Sequence, residues 1–340
     1  MMLRTGALIL LGLSAAYAGP AHAAGSVVVY CGVNEEWCRA ASTAFEKKTA
    51  IHVDMTRQSA GEIYARLRAE KANPRGDVWF GGTGDPHLQA ASNDLTEPYT
   101  SPALPQLRDW AQSQAKRSGN RTAGLYVGAL GFGYNADDLS RRKLAPPACW
   151  ADLLKPEFKG EVQMADPNAS GTAWTALATL VQLQGEDKAF DYLKALNRNI
   201  DHYTTAGAAP ALAVGRGEVS IGITFQHDLV DAAKHFKAVR VVSPCEGTGF
   251  EIGSISIVKG ARHPDEARAF YDWALTPEAQ ALAAENGSYQ VPSNISTPIP
   301  PEAPDMTKMK LIDYDFAKFG SATERARLLS RWTKEVKNGG

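Results

Sequence analysis

The sequence predicts an α/β fold, because short buried strands alternate with helical patterns along most of the chain. The run from Ser26 to Tyr30 is almost entirely apolar, which is typical of a strand in a parallel sheet. Trp37, Ala41 and Phe45 follow at the spacing of one helix face. Further strands are predicted at 51–55, 77–80, 125–134, 161–165, 219–224, 239–242 and 252–258. This alternation favours an open α/β sheet that is covered by helices.

The charges of the chain are balanced. Its 340 residues include 36 Lys and Arg against 37 Asp and Glu, which gives a formal net charge of −1 at pH 7. Without a basic excess, we predict no nucleic-acid partner and no electrostatic binding to a membrane surface. Any selectivity for an anion must therefore come from a local site.

The first 23 residues have the pattern of a secretory signal peptide. Arg4 precedes an apolar run at 6–18, and Ala-His-Ala at 21–23 has the form of a cleavage site. The apolar run is too short to span a membrane stably. We therefore predict that residues 1–23 are removed on export. The rest of the chain is long enough for two lobes with their own cores.

Four cysteines suit the oxidising conditions outside the cytoplasm. Cys31 and Cys38 are close in sequence, around a turn and the start of a helix, whereas Cys149 and Cys245 are far apart. Four cysteines permit three pairings, of which we predict Cys31–Cys38 and Cys149–Cys245. The alternative is a reactive Cys31 thiol or a metal site, although this spacing without nearby histidines is poor for zinc.

Three predicted strand-to-helix junctions carry small residues with hydroxyl groups. These residues are Ser59, Thr83 and Ser170, and Gly171 and Thr172 follow the last of them. The first turn of a helix has unpaired backbone N–H groups and a partial positive charge, so it can bind an anion. Any one of these residues alone would be explained by helix capping. Because ligands of open α/β sheets bind beyond the carboxyl ends of the strands, three such junctions favour a binding site.

Two glycine-containing segments have the pattern of chain passages between two lobes. One is 125–134, with three glycines, and the other is 243–254, which leads into the last long strand. The predicted parts of the chain are a signal peptide at 1–23, lobe 1 at 24–125 and 255–300, lobe 2 at 130–243, and a C-terminal helical segment at 301–340 that packs on a lobe.

Five regions, taken together, carry a family resemblance. They are Val-Val-Tyr at 28–30, Asp-Val-Trp-Phe-Gly-Gly-Thr at 77–83, Tyr-Val-Gly and Gly-Phe-Gly-Tyr-Asn within 126–135, Asp-Pro and Ser-Gly-Thr within 166–172, and Pro-Cys-Glu-Gly-Thr-Gly-Phe-Glu at 244–251. The chain resembles the periplasmic solute-binding proteins of ABC importers. It looks most like the type II, ferric-binding-like group and, within it, the AfuA-type receptors for hexose phosphates.

This resemblance implies both a fold and a function. It implies a two-lobed α/β fold with two hinge crossings, which closes on a ligand in the periplasm. It further implies a phosphorylated sugar as the ligand, an ABC permease in the inner membrane as the partner, and a monomeric receptor. We expect neither catalysis nor a cofactor from a protein of this kind.

The resemblance and the helix-start argument together define a set of ligand-binding residues. They are Ser59, Thr83, Ser170, Gly171, Thr172, Thr205, His227, Asp228 and Glu251. By the resemblance, His227, Asp228 and Glu251 contact sugar hydroxyls and the hydroxyl residues at helix starts lie near the phosphate. A carboxylate accepts hydrogen bonds from hydroxyls and repels a phosphate, which supports this division. Arg57 is a candidate cation for the phosphate, with an ordinary surface arginine as the alternative.

Other ligands and another class of protein remain open at this point. Ferric receptors of the group carry an adjacent tyrosine pair near the position of His227 and Asp228, whereas this chain has no Tyr-Tyr dipeptide. The alternative ligands are a phosphonate, phosphoglycerate or ferric ion. An exported hydrolase that uses Ser170, His227 and Asp228 is a less favoured alternative, because the sequence around Ser170 lacks G-x-S-x-G. Adjacent His and Asp residues also align poorly as a base and its orienting group.

Overall fold

We describe a computed structural model of the protein that covers residues 25–339, so the predicted signal peptide at 1–23 lies outside the described residues. The strands are β1 Ser26–Cys31, β2 His52–Arg57, β3 Val78–Phe80, β4 Thr96–Glu97, β5 Ala123–Asn135, β6 Val162–Ala165, β7 Ile200–Thr204, β8 Ile221–Phe225, β9 Val239–Val242, β10 Phe250–Val258 and β11 Val291–Pro292. Among these residues, no helix has the length and apolar character needed to cross a membrane.

The helices cover the strands in the alternating order that the sequence predicts. They are α1 Glu35–Thr49, α2 Ala60–Ala69, α3 Gly84–Ser92, α4 Asp109–Arg117, α5 Ala136–Arg141, α6 Gly171–Gln184, α7 Glu186–Asn197, α8 Ala209–Arg216, α9 Gln226–His235, α10 Pro264–Ala274, α11 Pro277–Glu285, α12 Phe316–Phe319 and α13 Ala322–Trp332. The predicted α/β class is therefore confirmed.

The described strands are connected in the order β2-β1-β3-β10-β5-β8-β6-β7, with β4, β9 and β11 at the sides. β1 pairs in parallel with β2 and β3, and β6 pairs in parallel with β7 and β8. β10 and β5 run antiparallel to their neighbours. The sheet is therefore mixed, with two parallel groups on either side of an antiparallel centre.

β5 joins the two groups of strands. Its residues 123–129 pair with β10 and β11, whereas residues 130–135 pair with β8 and β9. The strands consequently form one connected set rather than two separate sheets. The segment 243–249, between β9 and β10, makes the second passage between the groups. Both passages occur where the sequence predicts crossings, while the lobe boundaries themselves stay a prediction.

The buried side chains form two large hydrophobic clusters. One includes Phe45 of α1 and Phe270 of α10, and the other includes Trp174 of α6. Trp332 of α13 is fully buried in the second cluster. The C-terminal segment is therefore part of a core rather than a surface appendage.

Both predicted disulfide bonds are present. The Cα atoms of Cys31 and Cys38 lie 6.1 Å apart, and those of Cys149 and Cys245 lie 4.8 Å apart. Both separations fall within the range that disulfides normally span. The second bond attaches the passage at 243–249 to the chain before β6.

Candidate functional site

A cavity that is partly open to solvent lies at the carboxyl ends of β1, β2, β3, β6, β7 and β8. This is the edge at which α/β sheets commonly bind ligands. Eight of the nine predicted ligand-binding residues line it, namely Ser59, Thr83, Ser170, Gly171, Thr172, His227, Asp228 and Glu251. The ninth, Thr205, is not on the wall, although its carbonyl oxygen accepts a hydrogen bond from the Ser59 hydroxyl at 2.9 Å. The ligand role of each residue stays a prediction.

The first group on the wall consists of residues at helix starts. Ser59, Thr83 and Ser170 are the N-cap residues of α2, α3 and α6. We call Ser59, Thr83 and 170–172 the helix-start group. Because each helix directs its first backbone N–H groups toward its N-terminus, the group offers several hydrogen-bond donors to one anion.

Capping and cavity lining occur together in this group. The Ser170 Oγ accepts a hydrogen bond from the Ala173 N–H at a long 3.4 Å. At α2, the Glu62 carboxylate accepts from the Ser59 N–H at 2.9 Å, as the capping-box pattern predicts. Ser170 can therefore cap α6 and also contact a ligand, since a long capping bond leaves a lone pair and the hydroxyl proton available.

Glycines allow the helix starts to approach one another. A Cβ atom on Gly171 would lie 2.4 Å from the Thr83 Oγ1, and one on Gly207 would lie 2.1 Å from the Thr172 Oγ1. Real Cβ atoms do not come so close to another heavy atom. Any side chain at these two positions would push the helix starts apart and change the width of the cavity.

Arg57 supplies positive charge to the wall. It is the last residue of β2, which runs two residues further than predicted because Arg57 pairs with Cys31 of β1. Its Nε donates to the Val33 carbonyl oxygen at 3.1 Å, and its side chain is partly exposed. Among the described residues on the wall, Arg57 is the only lysine or arginine.

The second group on the wall, which we call the carboxylate group, consists of His227, Asp228 and Glu251. The His227 Nε2 lies 3.6 Å from the Asp228 Oδ1 and 4.0 Å from the Glu251 Oε1. The imidazole stacks on the Phe225 ring, with centroids 5.4 Å apart and planes 14° apart. The Thr224 hydroxyl lies 2.8 Å from the Asp228 Oδ2. The stacking and the Thr224 hydrogen bond orient the His227 and Asp228 side chains.

Burial controls the protonation of this group. It lowers the pKa of His227, against the opposing effect of Asp228, so the imidazole is neutral at pH 7. Burial, followed by the negative charge of Asp228, raises the pKa of Glu251 well above its usual range. Glu251 therefore holds a proton more strongly than an exposed glutamate, and the three side chains do not form an ordinary ion-pair network.

Several wall residues were missed by the sequence analysis. The polar ones are Asn34, Tyr126, Ser288 and Gln290. Asn34 is the N-cap of α1, and its Oδ1 accepts from the Trp37 N–H at 3.0 Å, so the helix-start argument could have found it. Tyr126 lies inside β5 and Gln290 lies in a connecting segment. Only the three-dimensional fold brings these two to the cavity.

A model of the bacterial extracellular solute-binding proteins matches residues 83–319, well over half of the chain. The chain belongs to this family. Among its relatives, an uncharacterized protein of Haemophilus influenzae is 44% identical over 330 residues, which cover 96% of this chain and 95% of that protein. A putative 2-aminoethylphosphonate-binding periplasmic protein of Salmonella paratyphi A is 28% identical over 293 residues, 82% of each chain.

A solved structure is similar to this solute-binding protein over nearly its whole length. It is the periplasmic binding protein AfuA from Actinobacillus pleuropneumoniae, with exogenous fructose 6-phosphate bound. The TM-score is 0.90 and the sequences are 45% identical, with 92% of this chain and 99% of that chain covered. This likeness confirms the predicted periplasmic-binding-protein fold and the predicted relationship to the AfuA type.

The geometry of the solute-binding protein does not favour the hydrolase alternative. The Ser170 hydroxyl contacts a backbone N–H, whereas the His227 Nε2 faces two carboxyl groups. Within residues 25–339, no hydrogen bond joins Ser170 to His227. A serine nucleophile needs a base within hydrogen-bond reach, and this pair does not provide one.

Proposed function

We propose that this solute-binding protein captures a phosphorylated sugar in the periplasm and delivers it to the permease of an ABC importer. The observation that carries the proposal is the composition of the cavity wall. A helix-start group suited to an anion and a carboxylate group suited to hydroxyls line the same cavity. A sugar phosphate carries both kinds of chemical group in one molecule.

The helix-start group supports a phosphate rather than a neutral ligand end. Backbone N–H groups at helix starts and the hydroxyl of Ser170 can donate hydrogen bonds to phosphate oxygens. Arg57 adds one positive charge beside them. Binding a phosphate largely through dipoles and hydroxyls suits a protein whose formal net charge is −1.

The carboxylate group supports a ligand with several hydroxyls. Asp228 can accept hydrogen bonds from two sugar hydroxyls, and the neutral His227 can donate or accept one. The Gln290 Oε1 and the His227 Nδ1 are buried and have no hydrogen-bond partner among the described residues. Both side chains line the cavity, so they add polar groups to its wall.

The same features rank the alternative ligands. Phosphoglycerate would bring a second anionic group toward Asp228, which disfavours it. Ferric ion prefers several anionic oxygen ligands, whereas Tyr126 is the only tyrosine among the described wall residues and Glu251 holds a proton strongly. An aminoalkylphosphonate is the strongest competitor, because its ammonium group could pair with Asp228 and a relative carries that name.

A thermal-shift panel followed by calorimetry tests the proposal. Glucose 6-phosphate and fructose 6-phosphate should raise the melting temperature, because a ligand that binds only the folded state stabilises it. 2-Aminoethylphosphonate, phosphoglycerate and ferric citrate should have little effect. Stabilisation by 2-aminoethylphosphonate but by neither hexose phosphate would overturn the sugar assignment and leave the receptor class intact. Native mass spectrometry of the protein purified from cells would identify a co-purified ligand.

A further inference from the structure

A buried carboxylate connects the two helices that start at Thr83 and Ser170. Asp85 lies in the first turn of α3 and is only 2% exposed. Its Oδ2 accepts hydrogen bonds from the Trp174 Nε1 at 3.1 Å and from the Tyr314 hydroxyl at 2.6 Å. Trp174 lies in the first turn of α6 and is fully buried. One oxygen atom therefore joins the first turns of both helices to the C-terminal segment.

The two helices also touch directly at the cavity. The close approach of Gly171 to the Thr83 side chain leaves no room for a Cβ atom between the helix starts. The starts of α3 and α6 are therefore held together at two points. One is the contact of Gly171 with Thr83 at the wall, and the other is the hydrogen bond between Asp85 and Trp174. Neither Asp85 nor Trp174 belongs to the wall itself.

The C-terminal segment holds the same region from a second direction. Arg325 of α13 is 4% exposed, and its guanidinium lies 5.1 Å from the centroid of the Trp174 ring. Its Nη2 donates to the carbonyl oxygens of Pro167 and Asn168, at 3.2 and 3.4 Å. These two residues belong to the loop that leads into α6. The position of α6 is thus set by Asp85 and Arg325 together.

We propose that Asp85 is a positioning residue for the ligand: by binding Trp174 and Tyr314, it fixes the spacing of the helix starts of α3 and α6. This inference rests on the proposed function for the identity of the ligand. Hydrogen-bond donors stabilise an anion well only if they are held in the correct place before it binds. A change at Asp85 should therefore alter ligand affinity although Asp85 does not touch the ligand.

The charge of Asp85 provides a way to follow this role. Burial raises the pKa of Asp85 to about 6, against the lowering effects of the Tyr314 and Trp174 hydrogen bonds and of Arg325 and Arg117. The charge of Asp85 in turn contributes to raising the pKa of Glu251 of β10. A neutral carboxyl accepts hydrogen bonds more weakly, so the connection between α3 and α6 should loosen as the pH falls through about 6.

Protonation should have opposite effects on stability and on affinity. A carboxyl whose pKa is raised by folding stabilises the folded state fully below its unfolded value, near 3.9, and loses this effect as the pH rises through about 6. Acidification should thus increase the stabilisation from Asp85 while it weakens ligand binding. A purely structural role would change stability with pH in the same way but would leave ligand affinity unchanged.

The test compares Trp174→Phe with Trp273→Phe, measured with glucose 6-phosphate at about pH 7.5. Trp273 of α10 is a matched control, because it is buried and its Nε1 has no partner among the described residues. Trp174→Phe should weaken binding about tenfold, as expected for loss of a hydrogen bond to a charged group, and the control should change less than about twofold. Equal losses in the two variants would overturn the proposal.

Asp85→Asn removes the titration while retaining an oxygen acceptor. The affinity of this variant for glucose 6-phosphate, divided by that of the unchanged protein, should be lowest at about pH 7.5. The ratio should approach one at about pH 5. Taking this ratio cancels the titration of the ligand's own phosphate, which has a second pKa near 6. A pH-independent ratio would contradict the proposal.

A ligand-free measurement separates this inference from the proposed function. The indole N–H resonance of Trp174, assigned by its loss in Trp174→Phe, should shift with pH around about 6 and should not shift in Asp85→Asn. Trp174→Phe should also accelerate amide exchange in the first turns of α3 and α6, whereas Trp273→Phe should not. If no hexose phosphate binds, the proposed function fails, and these two signals alone decide the role of Asp85. A flat titration with unchanged exchange would overturn it.

Discussion

The helix-start group and the carboxylate group line one cavity but are built in different ways. The first uses backbone N–H groups and hydroxyls, which do not titrate near neutral pH, on helices that are fixed by glycine contacts. The second uses His227, Asp228 and Glu251, two of which have pKa values shifted by burial. Under the proposed function, the difference predicts that anion binding is set by the backbone, whereas recognition of hydroxyls depends on the protonation of a few side chains.

The comparison predicts that each group recognises one part of the ligand. Free glucose and inorganic phosphate should each bind at least about 10³-fold more weakly than glucose 6-phosphate, because buried polar groups of the site would lose their partners. Calorimetry with the three compounds at one pH measures this. If inorganic phosphate alone binds as tightly as the hexose phosphate, the carboxylate group does not contribute.

Asp228→Asn should have the largest effect of a single substitution. Asp228 can accept two hydrogen bonds from hydroxyls, and losing its charge should cost about 3 kcal/mol, or roughly 150-fold in affinity. Asp231→Asn is the control, since Asp231 lies on the same helix but not on the described wall. Unchanged affinity in Asp228→Asn, with a normal melting temperature, would remove the carboxylate group from the site.

Ser170→Ala should have a smaller effect. Its hydroxyl already shares its oxygen with the Ala173 N–H, so we expect a loss near the lower limit for a charge-assisted bond, about 1.5 kcal/mol of binding. Ser321→Ala is a matched control, because Ser321 caps α13 in the same way at 3.5 Å and is not on the described wall. Both variants should lose about 1 kcal/mol of stability. If both also keep full affinity, Ser170 is only a cap.

Glu251→Gln should change the pH dependence of stability. Folding raises the pKa of Glu251, so its stabilising effect is full below the unfolded value and is lost as the pH rises through the folded value. Glutamine stays neutral at every pH. The free energy of unfolding of the variant, relative to the unchanged protein, should therefore increase as the pH rises. Urea unfolding at several pH values measures this, and parallel curves would contradict the shifted pKa.

The parts of the site that were predicted from the sequence depend on local patterns. A hydroxyl residue between an apolar strand and a helix is visible in the sequence, which is why Ser59, Thr83 and Ser170 were found. The cysteine pairs were predicted from their spacing in the sequence. The carboxylate group needed the family resemblance in addition, because an adjacent His and Asp alone do not distinguish a binding site from a helix start.

The parts that were missed depend on contacts between distant segments. β7 was not predicted, because Ile200–Thr204 is polar and partly exposed at the edge of the sheet. Tyr126 and Gln290 have no local signal for a cavity. The contact of Asp85 with Trp174 and Tyr314 joins three segments of the chain. Trp174 lies 89 residues after Asp85, and Tyr314 lies 229 residues after it. Hydrophobic periodicity gives no information about such contacts.

A crystal structure of the complex with glucose 6-phosphate tests the central claim most directly. We expect the phosphorus atom to lie beside the first-turn N–H groups of α2, α3 and α6, with the sugar hydroxyls within hydrogen-bond distance of Asp228. The expected donor-to-oxygen distances around the phosphate are about 2.7–2.9 Å. A phosphate bound beside Asp228 and Glu251, with the sugar ring against the helix starts, would contradict the assignment of the two groups.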